Sequence, residues 1–236
     1  MSELLDVNHV LNYLHKALEK RIPFSLVRVG DGENIILSQF DILGEEYVNS
    51  YHLIKIWWKK QGLSYPAPDI KEDLLEAIGR ANMVGILPYN DQRINAPQQL
   101  KRPLTDKIFE LNNIKPSLLC DAYVTRYMPD TPYFWQIIAG KKVLLVSKWA
   151  DVFKEVIGNQ YKEYGIKVTG AISITNYHMK DTVFNQILKS DFDIALISAG
   201  VAAVVLAQKT AEQCQRVAVD FGRSSQIISQ RFAGGQ

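Results

Sequence analysis

Cysteine is scarce in this chain: Cys120 and Cys214 are the only two among 236 residues, both in apolar surroundings and neither spaced for a metal or a redox pair. That excludes a disulfide scaffold and a thiolate zinc site, and predicts reduced core thiols in a cytoplasmic protein. Histidine is nearly as thin. His9, His15 and His52 lie apart on predicted helices and make no metal set, while His178 is a loop histidine of the usual bystander kind. Long apolar runs are missing as well. The longest, Val201 to Ala207, falls far short of the ~20 residues that span a bilayer. Met1 to Lys20 is charged throughout, unlike a secretory leader. Nor is there an excess of one charge: 27 Lys and Arg against 25 Asp and Glu leave +2, too weak a field to argue for nucleic acid. No Gly-X-Gly-X-X-Gly follows a strand, which argues against a dinucleotide dehydrogenase. There is no internal repeat and no low-complexity tract.

What is present is enough for a full core, with 47% hydrophobic and 22% charged residues. The length suits one domain, residues 1–236, in three stretches: an N-terminal helix within 1–20, a first half over 21–130 and a second over 140–223. Leu4, Leu11, Leu14 and Leu18 recur at helical spacing, and Phe24–Val29 reads as a buried strand. Helices are predicted over 47–61, 70–80 and 101–111, and strands over 83–87 and 117–125. Strands at 142–147, 166–174, 193–198 and 216–220 then alternate with helices at 151–164, 182–189 and 201–214. Continuous Val, Ile and Leu runs alternating with helices predict an α/β fold, a mostly parallel sheet with helices on both faces. The last residues, 233–236, are expected to fray. The segment Ile56-Trp57-Trp58-Lys59-Lys60 could touch sugar rings or a membrane surface, but half-buried indoles on an amphipathic helix explain it more simply.

The first predicted strand ends in Arg28-Val-Gly30-Asp31-Gly32-Glu33. Two readings are open. Asp31-Gly32 between apolar runs is a strong hairpin signal, a type I′ turn. Alternatively, Asp31 and Glu33 leave the strand end as a carboxylate pair for a hard divalent ion, of the kind that holds substrate phosphates with one or two carboxylates. Arg28 could then meet the same phosphates through its planar fork. The rest of the chain favours the second reading. In a parallel sheet, ligands bind outside the carboxyl ends of the strands. At such ends stand Asp31 and Glu33, Arg126, Ser147 and Lys148, Ser198-Ala-Gly200, and Asp220 to Arg223.

The segment Leu26-Val-Arg28-Val-Gly30-Asp31-Gly32-Glu33 resembles the signature of the GT-D type glycosyltransferases, a family once described as a domain of unknown function and found in bacterial surface-glycan and glycoprotein clusters. Ala122-Tyr-Val-Thr125-Arg126 is similar to its mid-chain Thr-Arg segment. Asp193-Ile-Ala-Leu-Ile-Ser-Ala-Gly200, leading to Val217-Ala-Val-Asp220-Phe-Gly222, is similar to its C-terminal strand–helix–strand. The resemblance runs from about residue 24 to 222 and implies a Rossmann-like fold. It also implies that Asp31 and Glu33 bind Mn²⁺ or Mg²⁺, which would hold the diphosphate of a UDP-sugar while the sugar passes to a hydroxyl of a bacterial glycan or glycoprotein. Gly30 and Gly32 belong to that motif, and Arg28 would contact phosphate. Members of the family often carry His after the C-terminal Asp-X-Gly, where this chain has Arg223, a further candidate phosphate contact.

Breaking a sugar–diphosphate bond builds negative charge on the leaving phosphate, which a metal neutralises. Arg28 and Arg126 would add charge-assisted hydrogen bonds. Ser198 and Gly200 could offer a helix N-terminus to phosphate or ribose. An inverting transfer also needs a proton acceptor, for which Glu33 and Asp220 are candidates. Arg126 could equally be a surface ion-pair residue, and Asp220 could simply cap a turn. A non-catalytic nucleotide-sugar-binding subunit, or another sugar-phosphate or nucleotide enzyme on the same fold, stays open as an alternative. So do homo-oligomerisation and a location peripheral to the membrane.

Overall fold

Seven short runs of β-branched and leucine residues form strands, and all seven pair in parallel in one sheet. They are β1 (Phe24–Val29), β2 (Met83–Ile86), β3 (Leu119–Asp121), β4 (Lys142–Ser147), β5 (Lys167–Ile172), β6 (Ile194–Ser198) and β7 (Val217–Asp220), in the spatial order β3-β2-β1-β7-β6-β4-β5. The structure is a computed structural model that describes residues 4–50, 58–59 and 62–233. Strands β1 to β3 make up one side of the sheet and β4 to β7 the other. They meet where β1 pairs with β7, from Phe24 opposite Val217 to Leu26 opposite Val219.

A strand buried on both faces feeds two cores, because successive side chains point to opposite sides. In β1, Leu26 joins the cluster of Leu11, Leu14, Phe134, Phe153 and Phe221, while Val27 and Val29 join that of Ile36, Leu74, Ile78 and Val204. The helix Val7–Lys20 covers the first face. Asp6 caps it by accepting from the His9 backbone N–H at 2.9 Å, and it buries Val10, Leu11, Leu14 and Leu18. Helix Val201–Cys214 lies on the second face, across β1, β7 and helix Pro68–Arg80. It is buried nearly all round through its first two turns, as its unbroken apolar run demands. Among the described residues no helix is long and apolar enough to cross a membrane.

One open reading is closed and two expectations need correcting. The sheet is parallel throughout, so Asp31-Gly32 is no hairpin turn; it opens the helix Asp31–Leu37 directly after β1. The strand predicted over 117–125 is only Leu119–Asp121. Asp121 Oδ1 accepts from the Tyr123 backbone N–H at 2.9 Å, an Asx turn that ends the strand, and Val124–Tyr127 forms a helical turn. The helix predicted over 151–164 ends at Gln160, followed by a separate turn Lys162–Tyr164. Of the helix predicted over 47–61, Glu45–Ser50 is seen, and positions 51–57 and 60–61 lie outside the described residues, as do 234–236 of the tail. The outer edge of β3 is covered by the N-terminal segment: Leu5 donates to the Leu119 carbonyl at 2.9 Å and accepts from the Asp121 N–H at 3.2 Å.

Candidate functional site

Strand β1 passes into helix Asp31–Leu37 through one residue, Gly30. Its N–H donates to Glu33 Oε2 at 3.0 Å and its carbonyl accepts from Asn34 N–H at 3.0 Å, half of a capping box built without a hydroxyl residue. A Cβ at Gly30 would sit 3.2 Å from that same carboxylate oxygen, so glycine leaves Glu33 room to fold back. Asp31 and Glu33 occupy the first turn, where the helix dipole favours negative charge.

Arg28, near the end of β1, is threaded between two glycines. Its Nη1 donates to the Ala122 carbonyl and its Nη2 to Asp220 Oδ1, each at 3.3 Å. A Cβ at Gly222 would lie 2.5 Å from Nη2, and one at Gly85 would lie 3.2 Å from Cγ. Gly222 also has φ +59, a conformation that disfavours side chains. Asp220 is 2% exposed and also accepts from the Gly222 N–H at 3.0 Å. It holds Arg28 from behind rather than facing outward.

Arg126, on the turn after β3, stacks on Tyr123, its guanidinium carbon 4.3 Å from the ring centroid. Its Nε is buried with no hydrogen-bond partner, and so is Arg28 Nε. Among the described residues neither Arg126 nor Arg223 forms an ion pair, whereas Arg28 is paired with Asp220. On the far side, Ser198 Oγ lies 2.8 Å from Ser225 Oγ. Gly200, at φ +56, starts helix Val201–Cys214 with no side-chain cap on its first N–H groups.

These elements surround one cavity of about 860 Å³ at the carboxyl edge of the sheet. It is lined by Arg28, Gly30, Asp31, Gly32, Glu33, Arg126, Ser198, Gly200 and Arg223, all singled out by the sequence, and by Ser147 and Lys148. Asp220 does not line it, nor does His178, which sits in the turn Tyr177–Met179. Sequence reading missed Trp149 and the wall Ile94–Pro97. Trp149 had a signal, standing directly after Lys148 at the end of β4. The loop after β2 had none beyond its prolines.

The comparisons with known proteins bear on this geometry. The profile of the GT-D-like family, the GT-D fold-like domain, matches residues 5–228. The chain belongs to that family. Among solved structures it is similar to a highly conserved domain of unknown function 1792 described as having a distinct glycosyltransferase fold, at 15% identity and a TM-score of 0.61, over 98% of this chain and 82% of that one. Among curated proteins, none matches it in sequence. The seven-stranded parallel sheet of this GT-D-like chain is thus an α/β glycosyltransferase fold.

Burial sets the electrostatics of the GT-D-like site. Burial first, and then Asp220, push the Glu33 carboxyl up to about 7, against the pull of Arg28 and the Gly30 N–H. Burial also raises Asp31, against the N–H groups of Asp31 and Gly32 and the charges of Lys101 and Arg126. Burial, followed by the neighbouring charges of Arg28 and Arg223, lowers Arg126, while Tyr123 supports its charge. The raised Glu33 has a consequence for stability. Its folded value exceeds the ordinary 4.5, so the folded state keeps a proton that the unfolded chain loses, and stability falls as pH rises from about 4.5 to 7. Glu33→Gln keeps an acceptor for the Gly30 N–H and never ionises. In metal-free buffer the variant should match the parent near pH 4.5 and exceed it at pH 8 by up to about 3 kcal/mol. Urea denaturation at the two pH values measures this; equal gaps at both would show that Glu33 titrates normally.

Proposed function

We propose that this chain transfers a sugar from a nucleotide diphosphate donor, a UDP-sugar, to a hydroxyl of a bacterial glycan or glycoprotein, with Mn²⁺ or Mg²⁺ bound at Asp31 and Glu33. The observation that carries the reading is the meeting, in one cavity, of two carboxylates with Arg126 and Arg223, which form no ion pair among the described residues. Uridine follows from the family resemblance alone.

The donor set fits such an ion. It consists of oxygen only, and no group of three or more His, Cys, Asp or Glu among the described residues forms a cage of its own. Magnesium sites of nucleotide enzymes are of this open kind, completed by substrate phosphates and water. When bound, the ion would supply Lewis-acid neutralisation of the charge that develops on the leaving diphosphate. The chain does the rest. Arg28, clamped by Asp220 and the Ala122 carbonyl, presents its remaining N–H to phosphate in a fixed direction. Arg126 supplies the buried, unpartnered Nε, and Arg223 adds positive charge at the rim. The uncapped N–H groups after Gly200 favour an anion or ribose hydroxyl. Of the two candidate proton acceptors, Glu33 lines the cavity and Asp220 does not; with the ion held at Glu33, neither is free to take the proton of the acceptor hydroxyl.

Thermal unfolding with UDP, GDP, ADP and NAD, each with and without Mn²⁺, tests this. Ligand at a hundred times its dissociation constant adds about 2.7 kcal/mol, a rise of roughly 5–10 °C for a chain of this size. A rise with UDP that needs Mn²⁺ is expected. Stabilisation by another nucleotide instead would change the donor, and no rise with any would remove the donor reading.

A further inference from the structure

A second cavity, of about 570 Å³, opens beside the first in the segment that follows β2. The two share Ile94, Asn95 and Ala96, so one stretch of loop borders both. Its character is different. The carboxamides of Asn90, Gln92, Asn95 and Gln98 line it together with Arg93 and Lys101.

Both cations there are already neutralised. Arg93 holds Asp121 through two bonds of 2.8 and 2.9 Å and Asp91 through a third of 2.8 Å. Lys101, only 3% exposed, donates to the carbonyls of Asp91 and Ile94 at 2.8 Å each and lies 3.4 Å from the Asp91 carboxylate. Two positive charges thus face two negative ones, and the cavity offers no net attraction to an anion. Among the described residues, the side chains of Asn90, Gln92 and Asn95 have no hydrogen-bond partner. Each carries one acceptor oxygen and two N–H donors, the set that matches a pair of neighbouring hydroxyls in both directions. An apolar ligand would leave those amides desolvated and unpaired, at a cost.

The wall is also rigid. Lys101 ties the loop internally, and Asn34 Nδ2 ties its end to the helix that bears Asp31, donating to the carbonyls of Leu100 at 2.9 Å and Lys101 at 3.1 Å and to Thr105 Oγ1 at 2.9 Å. Such preorganisation lowers the entropy lost on binding.

We propose that this amide-lined cavity is the acceptor site and takes a neutral, polyhydroxylated sugar whose reactive hydroxyl points past Asn95 into the larger cavity. The assignment rests on the nucleotide-sugar reading above, and the test separates the two. An array of immobilised neutral and anionic glycans is probed with the full chain and with the triple variant Asn90→Ala/Gln92→Ala/Asn95→Ala, all three at exposed positions. The thermal response of both proteins to UDP and Mn²⁺ is measured in parallel. The expected result is retention of neutral glycans by the parent, a loss of about tenfold or more in the variant, and the same UDP response in both. Undiminished glycan binding by the variant would overturn the proposal. So would a preference of the parent for anionic glycans, or no glycan binding by a parent that still responds to UDP. Amide-dependent binding of neutral glycans without any UDP response would support the sugar site and overturn the donor reading alone.

Discussion

Asp31→Asn should leave a folded protein that has lost about a thousandfold of its sugar-transfer rate, on the order of 4 kcal/mol of transition-state stabilisation. The change is isosteric. Asp31 stands in the first turn of helix Asp31–Leu37, lines the cavity, and is raised by burial above an ordinary carboxyl. Losing its charge removes a favourable dipole interaction of about 0.3–1 kcal/mol, which relief of a partly desolvated charge offsets. The melting temperature should therefore stay nearly constant while the Mn²⁺-dependent part of the UDP response disappears. A variant that kept both its activity and its metal dependence would move the ion away from this helix.

The second large effect concerns Arg28 and is felt in stability. Arg28→Met removes the guanidinium paired with Asp220, which is 2% exposed and would then keep only backbone N–H partners, that of Gly222 at 3.0 Å among them. Stranding a buried carboxylate costs about 3–5 kcal/mol. The cost should shrink as pH falls, because burial already raises the Asp220 carboxyl and loss of Arg28 removes the main influence holding it down. Adding Asp220→Asn to Arg28→Met removes the stranded charge, so the double variant should be more stable than the single one at pH 7. A denaturation cycle over the four proteins reads the coupling directly. Additive losses would mean that the two side chains do not depend on each other. The double variant should still transfer sugar poorly, since Arg28 presents its remaining N–H to the cavity in the proposed mechanism.

Much of this was legible in the sequence, and the exceptions have physical causes. Strand runs such as Val143 to Val146 and Ile194 to Ile197 are buried on both faces, and only a covered parallel sheet accommodates such runs. The candidate site was legible because ligand groups in such sheets gather at strand ends, and Arg28, Asp31, Glu33, Arg126, Ser198 and Arg223 all line one cavity. What the sequence left open or misjudged turned on strand pairing and on side-chain hydrogen bonds, some distant and some local. Asp31-Gly32 has the composition of a hairpin turn, and only the parallel neighbours of β1, Met83–Ile86 and Val217–Asp220, force the chain into a helix there. The early end of β3 depends on an Asp121 side chain that accepts from Tyr123, a bond that alternation of apolar residues does not reveal. Asp220 carries the right chemistry for a proton acceptor, but Gly222 and Arg28 enclose it. Asn34 fastens a loop 66 positions away, a contact that nothing in its sequence neighbourhood signals.

The strip of backbone that Leu5 lays along β3 bears on how copies of this protein could associate. An open strand edge is a template that recruits other chains, and natural sheets blunt it. Here the β3 edge is short and has its pairing groups engaged by Leu5, beside the turn that carries Arg126. Any assembly that extends the sheet is therefore directed to the opposite edge, β5, where Lys167 and Thr169 are partly or fully exposed. Growth from that side would leave the amide-lined cavity after β2 open, and each copy in such a pair could still admit a bulky acceptor.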